Sequence, residues 1–393
     1  MIDNDHPNDK TVSITEYVKK RGQRDLFPNV KKIASGMSLK VHDANNVAPK
    51  PQPWLWDPYI PLETCTLFAG AGGIGKSQLL LYLCGLVSNG ADFSINSLPY
   101  HIDEGKVLIL SAEDNLESSI IPRLKAVDAK LSNITIAEST FDDDMDKTER
   151  FIALDNDLAL VETLLAALGN VRLIIIDPVT AYLGKVRENQ SAEVRNFILR
   201  ISRMAERFKL AVILNTHTRK KASGESNTGA RDEIMGSSAW YNTVRQAFTI
   251  SQDHENPERI LFINCKSNCG AKPEAFDYQI ESADVIFGDE IIKTSRVNLL
   301  SGKVAVTADE ALNQDKYDKR VLLDEAKKLI LRELSFGAKS AQRMFQVADR
   351  EDITTSTLKR ARQALTKEGI NIIMEPSQTD RRKMIWYIGT DKK

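Results

Sequence analysis

The eight residues Gly70-Ala71-Gly72-Gly73-Ile74-Gly75-Lys76-Ser77 carry the most specific chemistry in this chain. They follow the apolar run Thr66-Leu67-Phe68-Ala69 and open a helical pattern, the strand–loop–helix setting that a GxxxxGK[ST] loop requires. The glycines let backbone N–H groups converge on phosphate oxygens with no Cβ in the way, Ala71 and Ile74 completing the cradle. The positive end of a helix beginning near Lys76 adds a favourable field for an anion. In such a loop the lysine, Lys76, reaches the β- and γ-phosphates, and the Ser77 hydroxyl ligates Mg²⁺. The segment therefore reads as a site for a nucleoside triphosphate with Mg²⁺.

Two carboxylates stand at the ends of other strand-like runs. Leu173-Ile174-Ile175-Ile176-Asp177 is a buried strand ending in an aspartate, which in phosphate-loop enzymes holds the metal through water. Pro178 follows Asp177 directly, so a catalytic base has to come from elsewhere. Glu113, in Val107-Leu108-Ile109-Leu110-Ser111-Ala112-Glu113-Asp114, ends the strand that comes next after the loop. Ligand sites of open α/β sheets collect at such carboxyl ends, and a carboxylate there can orient and deprotonate an attacking water. The plainer use of Asp177, of Glu113 or of Asp114 is to cap the helix that follows.

The elements that must position these groups are short apolar runs alternating with helical patterns from Leu62 to about Ile292. The runs are Cys65–Ala69, Lys106–Leu110, Arg172–Ile176, Leu210–Leu214, Gln246–Ile250 and Ile260–Asn264. Near-continuous apolar strands with helices between them predict an α/β fold with a mostly parallel sheet covered on both faces. Residues 1–53 read as a polar amino-terminal arm, helical around Ile14 to Lys20, ending in the Pro49, Pro51 and Pro53 linker. The α/β core is expected over 54–299, an unpatterned linker over 300–318, and a second folded domain over 319–393.

That last part predicts helices at Val321–Leu334, Ser340–Ala348 and Thr355–Glu368, a stop at Gly369, then strands Ile370–Met374 and Met384–Ile388. Three helices and a hairpin read as a winged helix. Leu358, Ala361 and Leu365 share one face of the third helix, leaving Lys359, Arg360 and Arg362 outside it for a DNA major groove. Arg381, Arg382 and Lys383 would sit in the wing. From Asp315 onward there are 18 lysines and arginines against 12 acids, although the whole chain has a net charge of −1. A basic tail on an acidic body suits a polyanion. A protein-docking winged helix with a solvated charged face is the alternative.

Composition excludes other classes. The chain has 393 residues, 42% hydrophobic and 27% charged, which suits two or three soluble domains. Its four cysteines are too few to staple a fold of this size, so a reducing cytoplasm is expected. Cys265 and Cys269, without a second pair or suitably spaced histidines, cannot complete a zinc site. No signal peptide is visible in Met1 to Lys10. The most apolar stretch, Leu79 to Val87, is about half a membrane span.

The ordered set of phosphate loop, Glu113, Asp177 and the His217 that ends the run from Leu210 resembles RecA-like ATPases. Within these it resembles the RepA-like replicative helicases and related AAA-family ATPases of plasmids, phages and integrated elements. Trp54-Leu55-Trp56-Asp57-Pro58-Tyr59-Ile60-Pro61, Ser111-Ala112-Glu113-Asp114 and Gly236-Ser237-Ser238-Ala239 carry that resemblance, as does Ile353 to Ala364 in the tail. It implies a hexameric ring with ATP between subunits, driving movement along single-stranded DNA. It further implies that His217 senses the γ-phosphate and that Arg245 is an arginine finger reaching the neighbouring subunit. Lys266 would be a second interface cation at the nucleotide. The basic segment with Arg219, Lys220, Lys221 and Arg231 would line the channel, its lack of aromatics favouring backbone phosphates over stacked bases. Two further functions share these residues: a RecA/KaiC-like DNA-stimulated ATPase of recombination, repair or regulation without unwinding, and an ATP-switched DNA-binding initiator or regulator.

Overall fold

The computed structural model describes residues 11–12, 39–40, 44–141, 149–218, 239–302, 304–312, 314–351, 353–376 and 384–389. The chain divides into residues 1–52 and 53–393. In the first unit Thr11–Val12 and Leu39–Lys40 pair antiparallel, and Ala44–Asn46 forms a single 3₁₀ turn.

The second unit is built on a nine-stranded sheet. Its strands are β1 (Thr64–Gly70), β2 (Lys106–Ser111), β3 (Ile134–Ala137), β4 (Val171–Asp177), β5 (Ala211–His217), β6 (Gln246–Gln252), β7 (Ile260–Ser267), β8 (Phe276–Phe287) and β9 (Glu290–Leu299). They lie in the order β9-β8-β7-β6-β1-β5-β4-β2-β3. From β6 to β3 all neighbours run parallel, whereas β6 to β9 form an antiparallel meander. The expected runs are all strands of this sheet. Beyond them the structure adds the edge strand β3 and the long β8–β9 hairpin.

Burial on both faces explains the apolar runs. Leu67, Leu108, Ile174, Ile176, Val212 and Leu214 point into one core with α3 (Leu154–Leu168) and α4 (Ser191–Phe208). Phe68, Val107, Ile109, Leu173, Ile175 and Ile213 point into the other with α1 (Lys76–Asn89) and α2 (Ile121–Ala126). Helix α4 shows how the helices are selected: Val194, Phe197, Ile198, Ile201, Met204 and Ala205 recur at helical spacing, and these are its buried residues. The second core holds a cluster of rings: Phe262 stacks on Phe248 at 4.3 Å and meets Phe276 at 4.7 Å and Phe68 at 5.0 Å. That cluster joins the parallel half of the sheet to the meander.

After a short helix α5 (Ala239–Thr243) and the meander, the carboxy-terminal helices are α6 (Ala308–Ala311), α7 (Gln314–Leu334), α8 (Ala341–Arg350) and α9 (Thr355–Lys367). The stretch expected to be an unpatterned linker is thus partly helical. Val304, Val306 and Ala308 pack on Leu261, Ile263 and Ala311, apolar contacts too sparse to stand out as a pattern. Strands β10 (Lys339–Ser340), β11 (Ile372–Pro376) and β12 (Met384–Ile388) form an antiparallel sheet in the order β10-β12-β11. Around Trp386 it closes over Leu329, Ile330, Met344, Leu358, Ala361 and Leu365. Among the described residues no helix is long and apolar enough to cross a membrane.

Removing the Phe262 ring leaves a void among four aromatic neighbours, so Phe262→Ala is expected to lower unfolding stability by about 3 kcal/mol. Phe151→Ala, at a side chain that is 75% exposed, should stay within about 0.5 kcal/mol. Urea unfolding of the two variants reads the difference; equal midpoints would show that the ring cluster does not hold the sheet.

Candidate active site

The loop Gly70–Ser77 lies at the carboxyl end of β1, where the sheet's connections part to either side. Its local shape needs glycine at particular places. Gly73 and Gly75 have φ of 75° and 91°, left-handed values that β-carbons resist. At Gly70 a Cβ would stand 2.3 Å from the Ile250 carbonyl oxygen of β6, a backbone atom with no room to retreat. Helix α1 starts at Lys76, directly after the left-handed Gly75.

Lys76 is only 4% exposed. Its ammonium donates to the carbonyls of Gly70 at 3.0 Å and Ala71 at 2.8 Å, and lies 3.2 Å from His217 Nδ1. Because an ammonium only donates, Nδ1 is the acceptor and the neutral ring carries its proton on Nε2. Burial pushes the Lys76 amine down to about 8, opposed by the negative charges of Asp177 and Glu113. Those opposing charges place both carboxylates within electrostatic reach of the loop.

Register explains how the groups meet. His217 is paired with Gly70 across β5 and β1, and the Thr218 N–H donates to the Gly70 carbonyl. Asp177 is paired with Ser111 across β4 and β2, and Glu113 follows two residues later as an exposed side chain. Asp114 is taken by Arg123 at 2.8 Å, which leaves Glu113 as the carboxylate facing the loop's charge. Asn215 Nδ2 donates to Asp177 Oδ1 and so fixes that carboxyl group. Ser77 and Asp177 offer only hard oxygen donors, and among the described residues no larger cluster of metal-ligating side chains occurs. A sparse set of this kind fits Mg²⁺, which keeps several waters and takes phosphate oxygens from its nucleotide.

Arg245 and Lys266 lie elsewhere. Gln246 is paired with Thr66, so Arg245 stands at the opposite end of the sheet, roughly 15 Å from Gly70 at the rise of a strand. Its side chain is exposed and donates to the Asn268 carbonyl at 3.1 Å. Lys266 donates to the carbonyls of Tyr241 and Asn242, at the end of α5. Neither cation reaches the loop of its own chain. Cys265 is half-buried, and desolvation pushes its thiol up to about 12.

In the carboxy-terminal part Lys359 and Arg360 are exposed on α9, as expected, and Leu358, Ala361 and Leu365 are buried. Arg362 is half-buried over the Trp386 ring at 5.4 Å. Arg219, Lys220, Lys221, Arg231, Gly236, Ser237 and Ser238 lie outside the described residues, as do Arg381, Arg382 and Lys383.

Sequence reasoning missed Asn215, the Ile250 carbonyl against Gly70, and the face of the β8–β9 hairpin beside Gly75. The hairpin had a visible signal in Phe276-Asp277-Tyr278-Gln279-Ile280-Glu281, a strict alternation of apolar and polar residues. The other two depend on pairing across distant strands, which no local pattern carries.

The ammonium is the form of Lys76 that attracts phosphate, and its depressed pKa means the charge is present below pH 8 and lost above. Affinity for Mg·ATP is therefore expected to hold near pH 7.5 and then fall as pH rises past 8, by at most tenfold per unit for one proton. Calorimetric titration between pH 7.5 and 9.5 measures this; a flat profile would remove Lys76 as the anion's charge partner.

Residues 32–223 match the model of the AAA domain family. None of the curated proteins compared matches the chain. With the loop at the β1–α1 turn and the mostly parallel sheet, the family match supports an AAA/RecA-like P-loop ATPase core.

Proposed function

We propose that this chain is a Mg-ATP-hydrolysing motor of the RepA type, a hexameric helicase or translocase on single-stranded DNA serving replication of a mobile element. The observation that carries the ATPase reading is the meeting of Lys76, His217, Asp177 and Glu113 at one end of the sheet. Lys76 and the loop amides would hold the β- and γ-phosphates, and Ser77, with Asp177 through water, would hold Mg²⁺, which would supply positive charge beside the phosphate oxygens. Glu113 takes a proton from the attacking water. His217, bonded to Lys76 and followed two residues later by Arg219 of the basic segment, passes the state of the γ-phosphate along the chain on this reading.

Arg245 supports the ring. It cannot serve its own nucleotide across the length of β1, so an arginine finger at this position has to act on a second copy. The carboxy-terminal module, with three helices and a three-stranded sheet, is read as a winged helix whose exposed Lys359 and Arg360 meet DNA phosphates. The chain is placed in the cytoplasm on this reading.

Steady-state hydrolysis with and without single-stranded DNA, with light scattering for assembly size, tests the reading. Turnover should rise with DNA. Glu113→Gln should lose at least about a hundredfold in kcat with Mg·ATP binding kept, and Arg245→Ala about a thousandfold with the assembly intact. Mixing the two inactive variants should restore part of the activity, because some interfaces then pair an intact base with an intact finger. A monomeric chain whose turnover ignores DNA would sink the helicase reading.

A further inference from the structure

The triphosphate is oriented by what flanks the loop. His217, Asp177 and Glu113 all lie on the β5-β4-β2 side of β1, so a terminal phosphate and its metal face that way. The nucleoside must then leave on the opposite side, over Gly75 and the first turn of α1. That side is covered by the inner face of the β8–β9 hairpin. Ile280 presses directly on the loop there: a Cβ on Gly75 would stand 2.4 Å from Ile280 Cδ1 and 3.3 Å from Ile260 Cδ1. Two polar contacts fasten the hairpin in place. Tyr278 donates its hydroxyl to the Gly75 carbonyl at 3.4 Å, and Gln78 of α1 donates its amide to Ser295 Oγ at 2.6 Å.

At Ile280 its face of the strand opens to solvent, and Ser282 and Asp284 beyond it on that face are exposed as well. Tyr278 before it and Val297 across from it are buried, yet Ile280 is 38% exposed. An exposed aliphatic surface beside an anion-binding turn suits a flat apolar group tethered to that anion.

We infer that the β8–β9 hairpin is the nucleobase platform of this site, and that it holds the base by apolar contact with Ile280 without reading its hydrogen-bonding edge. The inference rests on the nucleotide reading above and deepens it. The Tyr278 hydroxyl and the Gln78 amide are spent on joining hairpin to loop, so the platform selects shape. A site that hydrogen-bonds a substrate rejects the wrong one by four or five orders of magnitude, whereas an apolar surface discriminates weakly. ATP and GTP therefore bind alike.

Equilibrium binding of Mg²⁺ complexes of ATP, GTP and inorganic tripolyphosphate to the full chain tests this. The native chain should bind ATP and GTP within about fivefold of each other. Ile280→Ala should weaken both nucleotides by about tenfold, the scale of lost methylenes in an apolar site, and leave tripolyphosphate unchanged. Ile280→Phe, which keeps an apolar face, should bind ATP at least as tightly as the native chain. The platform is overturned if Ile280→Ala leaves ATP affinity unchanged, if it weakens tripolyphosphate equally, or if Ile280→Phe loses tenfold. A hundredfold preference between ATP and GTP overturns the claim that the edge is unread. A native chain that binds none of the three fails at the phosphate loop itself, and Lys76→Ala, losing all three, marks what that failure looks like.

Discussion

A single buried ammonium organises the structure. Taking a charge out of water is costly unless it is paired and hydrogen-bonded, and Lys76 meets that demand with two carbonyls of its own loop and one imidazole nitrogen. All three ammonium hydrogens have a partner. That arrangement requires β1 to end at Gly70, a loop tight enough to present Gly70 and Ala71 carbonyls inward, and β5 beside it to deliver His217. A phosphate chain offers the same ammonium stronger acceptors, so the loop exchanges an internal set of bonds for a ligand's without ever exposing a bare charge.

The sheet separates the remaining chemistry by its two ends. At the carboxyl ends of the parallel strands lie the groups that handle phosphate, metal and water. At the other end Arg245 is held by Asn268 and Lys266 by the last carbonyls of α5. These are different uses of a cation. Lys266 satisfies carbonyls that a helix leaves without partners at its end, whereas the exposed Arg245 donates to the Asn268 carbonyl and meets the Cys269 thiol. The strand length between the ends fixes which of them a bound nucleotide can touch within one chain.

Much of this was legible in the sequence, for physical reasons. Leu173-Ile174-Ile175-Ile176 reads as a strand because burial on both faces leaves no polar alternation, and the residue after such a run falls at the carboxyl edge. Hence Asp177, Glu113 and His217 could be assigned to one edge of the sheet before any coordinates. The glycines of the loop announce their own geometry. What stayed hidden depends on register or on weak apolar contacts. Nothing local says that Ile250 faces Gly70, or that Asn215 orients Asp177. The segment from 300 to 318 looked unpatterned because a few small residues, Val304, Val306 and Ala308, suffice to lay it on β7. Helix α7 therefore begins earlier than its apolar spacing implies. Lys266 shows the converse, a residue type that suits an interface yet is engaged within its own chain.

The position of β1 also imposes an order on assembly. Its neighbours are β5 and β6, so Cys65 waits for Val212 and Leu67 for Ala247 before either can pair. Closing such long stretches of chain is entropically slow and comes late, while β6 to β9 zip up through local turns. On a ribosome the phosphate loop is among the first parts of this fold to emerge, and it stays without walls until residues well past 240 have followed. A chain interrupted before that point would carry the complete glycine-rich signature and no formed pocket. The fold thus couples the appearance of nucleotide affinity to the synthesis of β5 and β6, the strands that flank β1.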